Sequence, residues 1–308
     1  MTKNNSIENK ASGTAMATAF MRALAAYDPR EEMRGNDYLA EIFLEERQKK
    51  PLKDPAIRAW VMKNKIAPGA YEFMIARTAF FDRIVEQALK ENIEQVVLLG
   101  AGYDSRPYRF EGFNRDTKIF ELDAKPTQQR KKECLQQAEI SISQQISFVP
   151  INFETDNLRD TLMEAGFSRE KKTLFIWEGV TYYLSTEVVD NMLAFVRLNS
   201  PSGSSISFDY ASLSDEALNE DGARELRKHM QSQHSNEPTK FGIRASKIEA
   251  FLAERGFEVI EHLTAAEMNE KYLSMGGYSD VGKVPSLFCL VYATVIEEVM
   301  TGHCLMVE

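Results

Sequence analysis

Residues 95–106, QVVLLGAGYDSR, decide the fold. In this stretch the apolar run VVLL leads directly into Gly100-Ala101-Gly102, and Asp104 follows. The pattern predicts a buried strand that ends in a tight turn, since glycine lets the backbone bend sharply and approach a ligand closely. In an open α/β sheet, the ligand crevice lies at the carboxyl end of such a strand.

A second strand is predicted about twenty residues further on, at 118–122 (KIFEL). Glu121 lies within it and Asp123 follows it directly. Acidic side chains at this place suit a ribose, because a carboxylate can accept hydrogen bonds from both hydroxyls of a diol. Together with the glycine turn, Glu121 and Asp123 predict a site for an adenosine-containing cofactor.

Strands and helices alternate from residue 95 onward, which is typical of a parallel sheet with helices on both faces. The predicted fold is therefore α/β, a Rossmann-like seven-stranded and mostly parallel sheet, whose last two strands form a hairpin-like pair at the sheet edge. The predicted strands are 95–99, 118–122, 146–150, 173–177, 204–210, 257–262 and 287–296. The helices predicted between and after them are 126–138, 155–165, 186–198, 246–255 and 264–273.

Residues 1–92 read as helical throughout and predict an N-terminal helical cap that belongs to the same unit as the core at 93–308. The predicted helices of the cap are 14–26, 36–49, 55–66 and 69–92. Within the core, residues from about 212 to 245 are polar and helix-prone, and they predict an inserted helical lid.

Composition excludes several classes of function. A net charge of −9 argues against a nucleic-acid partner, since phosphate binding needs a basic face. Cys134, Cys289 and Cys304 lack metal-type or disulfide-type spacing, so no metal site is predicted. The N-terminus lacks the apolar core of a signal peptide, and no run approaches the length of a membrane span. We therefore expect a cytoplasmic enzyme that acts on neither membranes nor nucleic acids, with its oligomeric state open.

The spacing Gly-x-Gly-x-x-Ser leaves a dinucleotide fold, and with it an NAD(P)-dependent oxidoreductase, as an alternative. Tyr103 and Asp104 argue against it, because the first is bulky and the second would repel a pyrophosphate. An anionic Asp104 instead suits a cationic ligand such as a sulfonium. A non-catalytic protein that binds the cofactor is a third possibility.

Three further side chains are candidates for the site. Glu178 follows the fourth strand, where a carboxylate faces the ligand crevice. Tyr183 either lines a substrate pocket or packs in the core, and the residues alone leave this open. Arg77 precedes the first strand on a helix, and residue type alone favours a surface pair with Asp82 over a role as a carboxylate clamp.

Several segments, in order, give the chain a resemblance to the leucine carboxyl methyltransferase family of S-adenosylmethionine-dependent methyltransferases, and particularly to its bacterial and archaeal-type members. The ordered set is more specific than any one piece. The segments are TAMATAFMRA (Thr14 to Ala23), NDYLAEIFL (Asn36 to Leu44), IARTAFFD (Ile75 to Asp82), LLGAGYDSRPYRF (Leu98 to Phe110), ELDAKPTQQRKK (Glu121 to Lys132) and EGVTYYL (Glu178 to Leu184).

The resemblance implies S-adenosyl-L-methionine as the cofactor and a role for each matched residue. Arg77 would bind the methionine carboxylate, which replaces the surface-pair interpretation, and Glu178 would lie near the amino group. Gly100 and Gly102 would let the backbone pass close to the cofactor, and Asp123 would bind the ribose. Where the family usually has Asp-Leu near the adenine, this chain has Asn152-Phe153.

The expected reaction is O-methylation of a carboxylate, or of a hydroxyl, on a small molecule or peptide. A carboxylate is already ionised at neutral pH and needs no general base, whereas a hydroxyl needs one. No unmistakable base is present in the sequence, so a carboxylate acceptor is favoured. Glu178 and Tyr183 are the candidates for positioning the reactants.

Overall fold

The structure, a computed structural model, describes residues 11–153, 155–233, 240–273 and 282–297. Its eight strands are β1 (Gln95–Leu99), β2 (Lys118–Asp123), β3 (Ile146–Pro150), β4 (Thr173–Trp177), β5 (Ser205–Ser212), β6 (Gly242–Ile243), β7 (Phe257–Leu263) and β8 (Phe288–Val295). The α-helices are α1 (Gly13–Ala26), α2 (Glu46–Lys53), α3 (Pro55–Asn64), α4 (Ala70–Lys90), α5 (Arg106–Arg109), α6 (Lys125–Gln137), α7 (Leu158–Glu164), α8 (Thr186–Leu198), α9 (Asp215–Asn219), α10 (Asp221–Gln233), α11 (Ile248–Ala253) and α12 (Ala265–Met268).

The strands form one mixed sheet in the order β3-β2-β1-β4-β5-β8-β7, and β6 pairs with β5 beside this path. All neighbours are parallel except β8, which runs antiparallel to both β5 and β7. The chain first runs outward from β1 to β3 and then returns to β4 on the other side of β1. The strand order thus reverses between β1 and β4, where open α/β sheets bind their ligands.

Strand β1 is buried along its whole length, because helices cover both faces of the sheet. Val96 and Leu98 belong to the core on the side of α1 and α4, whereas Val97 and Leu99 belong to the core on the side of α8. Full burial of such a side chain contributes about 1.5–3 kcal/mol to folding. The apolar run of the sequence therefore fixes the centre of the sheet, and the mostly parallel α/β fold is confirmed.

The N-terminal helices pack into the same core as the sheet. Ala19 and Leu24 of α1 and Phe43 lie in one cluster with Val96 and Leu98. Helix α1 begins where the Ser12 hydroxyl accepts a hydrogen bond from the Ala15 N–H at 3.1 Å. Among the helices of the described residues, none combines the length and apolar character needed to cross a bilayer.

The prediction of one helix over 36–49 is wrong. A 3₁₀ turn occupies Ala40–Phe43, and α2 begins only at Glu46. The cause lies at Asp37, which is buried, accepts a 2.5 Å hydrogen bond from Ser105 and approaches Arg22 and Arg109 at 3.4 Å each. These tertiary contacts outweigh the local preference for a helix.

The segment predicted as a helical lid, about 212–245, contains α9, α10 and also the short strand β6, which raises the strand count from the predicted seven to eight. Residues 234–239 of this segment lie outside the described residues. The part that follows them contributes Lys240 to the cleft described below. The role of this segment as a lid stays a prediction.

Candidate active site

A cleft of about 620 Å³ opens at the carboxyl ends of β1 to β4, beneath the start of α1. Its place is the reversal of strand order, and its size lies within the range of about 300–1,000 Å³ that small-molecule sites occupy. All but one of the residues predicted for the site line this cleft. Those residues are Arg77, Gly100, Gly102, Asp104, Asp123, Asn152, Phe153, Glu178 and Tyr183.

The glycine turn after β1 forms the floor of the cleft. Gly100 and Gly102 have positive φ angles of 74° and 48°, which residues with a Cβ rarely adopt. A Cβ on Gly102 would lie 3.1 Å from the Cβ of Ala15 in α1, and one on Gly100 would lie 3.0 Å from the Val180 side chain. Both glycines are therefore required by the backbone conformation and by the closeness of the neighbouring elements.

Asp123, at the end of β2, is held by the turn that it faces. One carboxylate oxygen accepts the Gly102 N–H at 2.6 Å, and the other accepts the Ala124 N–H at 2.7 Å. Burial raises the pKa of Asp123, and the two N–H groups act in the opposite direction. The Thr127 side chain also hydrogen-bonds to this carboxylate and acts to lower its pKa. A carboxylate has about four lone-pair sites, so the half-buried Asp123 side chain can still accept a hydrogen bond from a diol in the cleft.

Glu121 does not reach the cleft, and its assignment to the cofactor is corrected here. The side chain is fully buried, with one oxygen 2.6 Å from the Lys131 ammonium and the other accepting the Tyr108 hydroxyl at 2.9 Å. Glu121 and Asp123 share a face of β2, but Glu121 lies two residues before the strand end. It therefore points into the layer between β2 and helices α5 and α6, below the floor of the cleft.

Arg77 reaches from α4 into the cleft and is not a surface residue. Its Nε lies 3.0 Å from Glu178 Oε1, and its Nη1 lies 3.1 Å from Asp209 Oδ2. The other oxygen of Asp209 accepts the Gly179 N–H at 2.7 Å. Asp82, the surface partner first considered, instead binds Arg106 and Arg109.

Arg106, at the start of α5, links the glycine turn after β1 to α4 and to the segment after β4 through ion pairs. It is completely buried and contacts three carboxylates, Asp82 at 2.9 Å, Asp104 at 2.6 Å and Glu178. Burial alone would raise the pKa of Glu178, but Arg106 and Arg77 together lower it to about 2. Glu178 is therefore a fixed anion at neutral pH.

Asp104 lines the cleft, but its charge is already balanced. One oxygen accepts the Arg106 backbone N–H at 2.9 Å, and the other pairs with the Arg106 side chain. Asp104 thus stabilises the start of α5. The adjacent Arg106 guanidinium reduces the electrostatic attraction between Asp104 and a cationic ligand.

Asn152, Phe153 and Tyr183 lie at opposite ends of the cleft. Asn152 and Phe153 follow β3, and the Asn152 N–H donates to Asp156 at 2.8 Å, which holds the loop. Tyr183 follows β4 in a 3₁₀ turn, and its ring meets that of Tyr182 edge to face with centroids 4.6 Å apart. The cleft therefore runs from one end at β3, where the sequence predicts the adenine contact, to a second end at β4.

Sequence reasoning missed four residues of the site, Arg22, Arg106, Asp209 and Lys240. Arg22 lines the cleft from α1, where it donates to the Tyr103 carbonyl at 3.0 Å. Asp209 could have been found from the sequence, since it is a charged residue within the otherwise apolar or small-residue strand SISFDYA. A charge that is buried in this way needs a partner of opposite charge. For Lys240 the sequence carries no such signal.

The residues at hand fit S-adenosyl-L-methionine. The glycine turn leaves no room for side chains on the floor, and Asp123 lines the cleft with a carboxylate that could accept a hydrogen bond from a ribose hydroxyl. Glu178 is paired with Arg77 and Arg106, but its Oε1 accepts no hydrogen bond from the described residues and could accept one from an amino group. Arg22, whose buried Nε likewise makes no hydrogen bond there, lines the same cleft and could contact a carboxylate. Across the described residues, no group of three histidine, cysteine or acidic side chains is arranged to hold a metal ion.

The sequence also matches a family model, that of leucine carboxyl methyltransferase, over residues 15–197, which is more than half of the chain. The chain belongs to the leucine carboxyl methyltransferase family. The matched range includes the helical cap, the glycine turn, Asp123 and Glu178, so the predicted resemblance is confirmed.

Curated relatives of this family member carry a consistent name. The Bacillus subtilis (strain 168) protein "Putative S-adenosyl-L-methionine-dependent methyltransferase YktD" is 29% identical over 292 residues, which are 87% of this chain and 93% of the relative. The Parafrankia sp. (strain EAN1pec) protein "Putative S-adenosyl-L-methionine-dependent methyltransferase Franean1_4929" is 30% identical over 67% of this chain and 66% of its own length.

Solved structures agree on the fold. A "putative methyltransferase from Thermobifida fusca YX" aligns with a TM-score of 0.59 at 16% identity, covering 94% of this chain and 96% of that one. A "duf574 family protein" from Streptomyces avermitilis MA-4680 aligns with a TM-score of 0.57 at 13% identity, covering 94% and 98%. At such identities the likeness concerns the fold alone.

The family member described here is an S-adenosyl-L-methionine-dependent methyltransferase. Family and relatives favour methyl transfer over the hydride transfer of the nicotinamide alternative. The choice of methyl acceptor depends on the residues at the second end of the cleft, after β4.

Proposed function

We propose that the enzyme methylates a carboxylate oxygen on a small molecule or peptide. One observation carries the proposal, the ionic fixation of Glu178 between Arg77 and Arg106. With its pKa lowered to about 2, Glu178 cannot take a proton from an acceptor at neutral pH. The described residues that line the cleft include no histidine. An acceptor that is already ionised when it binds needs neither Glu178 nor a histidine as a general base.

When bound, the cofactor would supply a methyl group on a positively charged sulfur. An acceptor oxygen would form the C–O bond with its own electron pair, and the electron pair of the broken C–S bond would stay on the sulfur of the leaving S-adenosylhomocysteine. The protein's task is alignment, which can contribute about 7–11 kcal/mol to lowering the barrier. Asp123 would fix the ribose and Glu178 the amino group, while the glycine turn sets their separation. Tyr183, at the β4 end of the cleft, would orient the acceptor.

Arg77 would complete the cofactor site through the methionine carboxylate. Its Nε and Nη1 already face Glu178 and Asp209. These two carboxylates, together with the Met74 sulfur 3.6 Å from Nη2, fix the plane of the guanidinium before a ligand arrives. A ligand carboxylate would then meet a preorganised partner, which lowers the entropy cost of binding.

The distinction between an ester and an ether product tests the proposal. A metabolite extract is incubated with the enzyme and methyl-labelled cofactor, and the labelled products are then treated with mild alkali. A carboxylate acceptor gives a methyl ester, so we expect the label to be released as methanol. An Asp123→Asn enzyme, weakened in cofactor binding, is the matched control. A labelled product that survives alkali would contradict the proposal and indicate a hydroxyl acceptor.

A further inference from the structure

Lys240 is an exposed lysine whose backbone is fixed at the edge of the cleft. Its N–H donates to the Tyr182 carbonyl oxygen at 2.8 Å, directly beside Tyr183. Its side chain lines the cleft. Among the described residues, no carboxylate pairs with its ammonium group. Lys240 thus contributes a positive charge beside Tyr182 and Tyr183, on a backbone that is hydrogen-bonded to Tyr182.

The position of Lys240 places it at the acceptor end. The order β3-β2-β1-β4 spreads the cleft from Asn152, after β3, past Asp123 to Tyr183, after β4. An adenosine held by Asp123 occupies the β3 and β2 end. The methyl acceptor must therefore enter from the β4 end, where Lys240 lies.

The other basic residues of the cleft are engaged or lie elsewhere. Arg77 faces Glu178 and Asp209, and Arg22 approaches Asp37 at 3.4 Å. Lys125 starts α6, directly after β2, at the ribose end. Lys240 is therefore the cation that the described cleft offers to an acceptor.

Apart from Lys240, the described residues that line the cleft include four acidic side chains and three basic ones, Arg22, Arg77 and Lys125. Asp104, Asp123, Asp156 and Glu178 all face the cleft, and the whole chain carries a net charge of −9. Arg77 and Arg106 are engaged by Glu178 and Asp104, so an anionic acceptor at the β4 end needs attraction from another cation. Lys240 supplies that cation where it is needed.

We propose that Lys240 binds an anionic group of the acceptor other than the oxygen that is methylated, a carboxylate or a phosphate. The inference rests on the proposed function. The reacting carboxylate oxygen loses its negative charge as it forms the bond to the methyl carbon. A lysine paired with that oxygen would stabilise the ground state more than the transition state and slow the reaction. A lysine paired with a second, non-reacting anion keeps its partner throughout, so the acceptor carries at least two negative charges and the ester product still carries one.

The test uses the full-length enzyme, methyl-labelled cofactor and a metabolite extract as the acceptor source. Labelled product is passed over an anion-exchange resin at pH 7, and the retained material is treated with phosphatase to distinguish a phosphate from a carboxylate. We expect retention on the resin. For the purified acceptor, Lys240→Gln should raise KM about threefold to fivefold, as expected for an exposed ion pair, with a smaller change in kcat, and Lys240→Arg should restore most of the loss.

Lys247→Gln is the matched control, because Lys247 is exposed in the turn that follows β6 and does not line the cleft. Affinity for S-adenosylhomocysteine should stay within about twofold in all three variants, since the change concerns the acceptor alone. A labelled ester without negative charge, or a KM in Lys240→Gln equal to that in Lys247→Gln, would overturn this inference and leave the proposed function standing. A complete lack of alkali-labile product would overturn both.

Discussion

Replacing Asp209 by asparagine probes the buried ionic group on which the site depends. Asp209 is completely buried in β5, where one oxygen faces Arg77 at 3.1 Å and the other accepts the Gly179 N–H at 2.7 Å. An asparagine has the same shape but only one acceptor oxygen. Its amide NH₂ must therefore face either Arg77 or the Gly179 N–H, and a donor then faces a donor.

The magnitude follows from these two contacts. Loss of a charge-assisted hydrogen bond costs about 1.5–3 kcal/mol, and breaking a buried ion pair costs about 3–5 kcal/mol. Because Arg77 keeps Glu178 as a second partner, we expect the lower part of this range, about 2–3 kcal/mol of the free energy of unfolding. The Arg77 guanidinium should also lose its fixed plane, so affinity for S-adenosylhomocysteine should fall about tenfold.

Urea denaturation measures the first effect, and titration calorimetry of S-adenosylhomocysteine measures the second. Asp190→Asn is the matched control, since Asp190 pairs with Arg255 at 2.8 Å but both side chains are partly exposed to solvent. An exposed pair of this kind contributes about 0–1 kcal/mol. If Asp209→Asn were as stable as Asp190→Asn and bound the ligand like the wild type, the argument for preorganisation would be refuted.

Three further predictions concern the same site. Arg106→Lys should destabilise the protein by about 3 kcal/mol or more in urea denaturation, because one ammonium cannot replace a guanidinium that contacts three carboxylates, and stability within 1 kcal/mol of the wild type would contradict this. Gly102→Ala should weaken S-adenosylhomocysteine binding in calorimetry, because a Cβ there meets Ala15 at 3.1 Å and the φ of 48° is strained, and unchanged affinity would show that the turn adapts. Ionised Glu178 should stabilise the protein above its unfolded pKa of about 4.3, and this contribution should be lost as pH falls toward the folded pKa of about 2. The free energies of unfolding of the wild type and of Glu178→Gln should therefore converge between these two pH values. Parallel pH profiles of the two free energies would contradict this prediction.

Local sequence patterns were sufficient to place the floor of the cleft. The run before Gly100, ending in a glycine turn, predicts a buried strand. An acid after the next strand is expected beside that turn where the two strands are parallel neighbours, because parallel strands end at the same edge. Asp123 follows from this geometry alone. The same pattern misplaced Glu121. Alternation along a strand predicts which face a side chain lies on, but it does not predict how far from the strand end that side chain lies.

The ionic core of the site could not be read from local patterns. Arg106 meets Asp82 of α4 and Glu178 after β4, and Arg77 meets Asp209 of β5, at separations of 24 to 132 residues. No hydrophobic period encodes which charge meets which across such distances. Only the rule that a buried charge needs a partner indicates that partners exist, and it does not name them.

The central claim is that the cleft after β1 and β2 binds the methyl donor through Asp123. Its most direct test is titration calorimetry of S-adenosylhomocysteine with the wild type, Asp123→Asn and Glu121→Gln, two carboxylates of one strand changed in the same way. We predict binding by the wild type, an affinity at least about tenfold weaker for Asp123→Asn, and one within about threefold for Glu121→Gln, because only Asp123 lines the cleft. Equal affinity of Asp123→Asn and the wild type, or no binding by the wild type, would contradict the account.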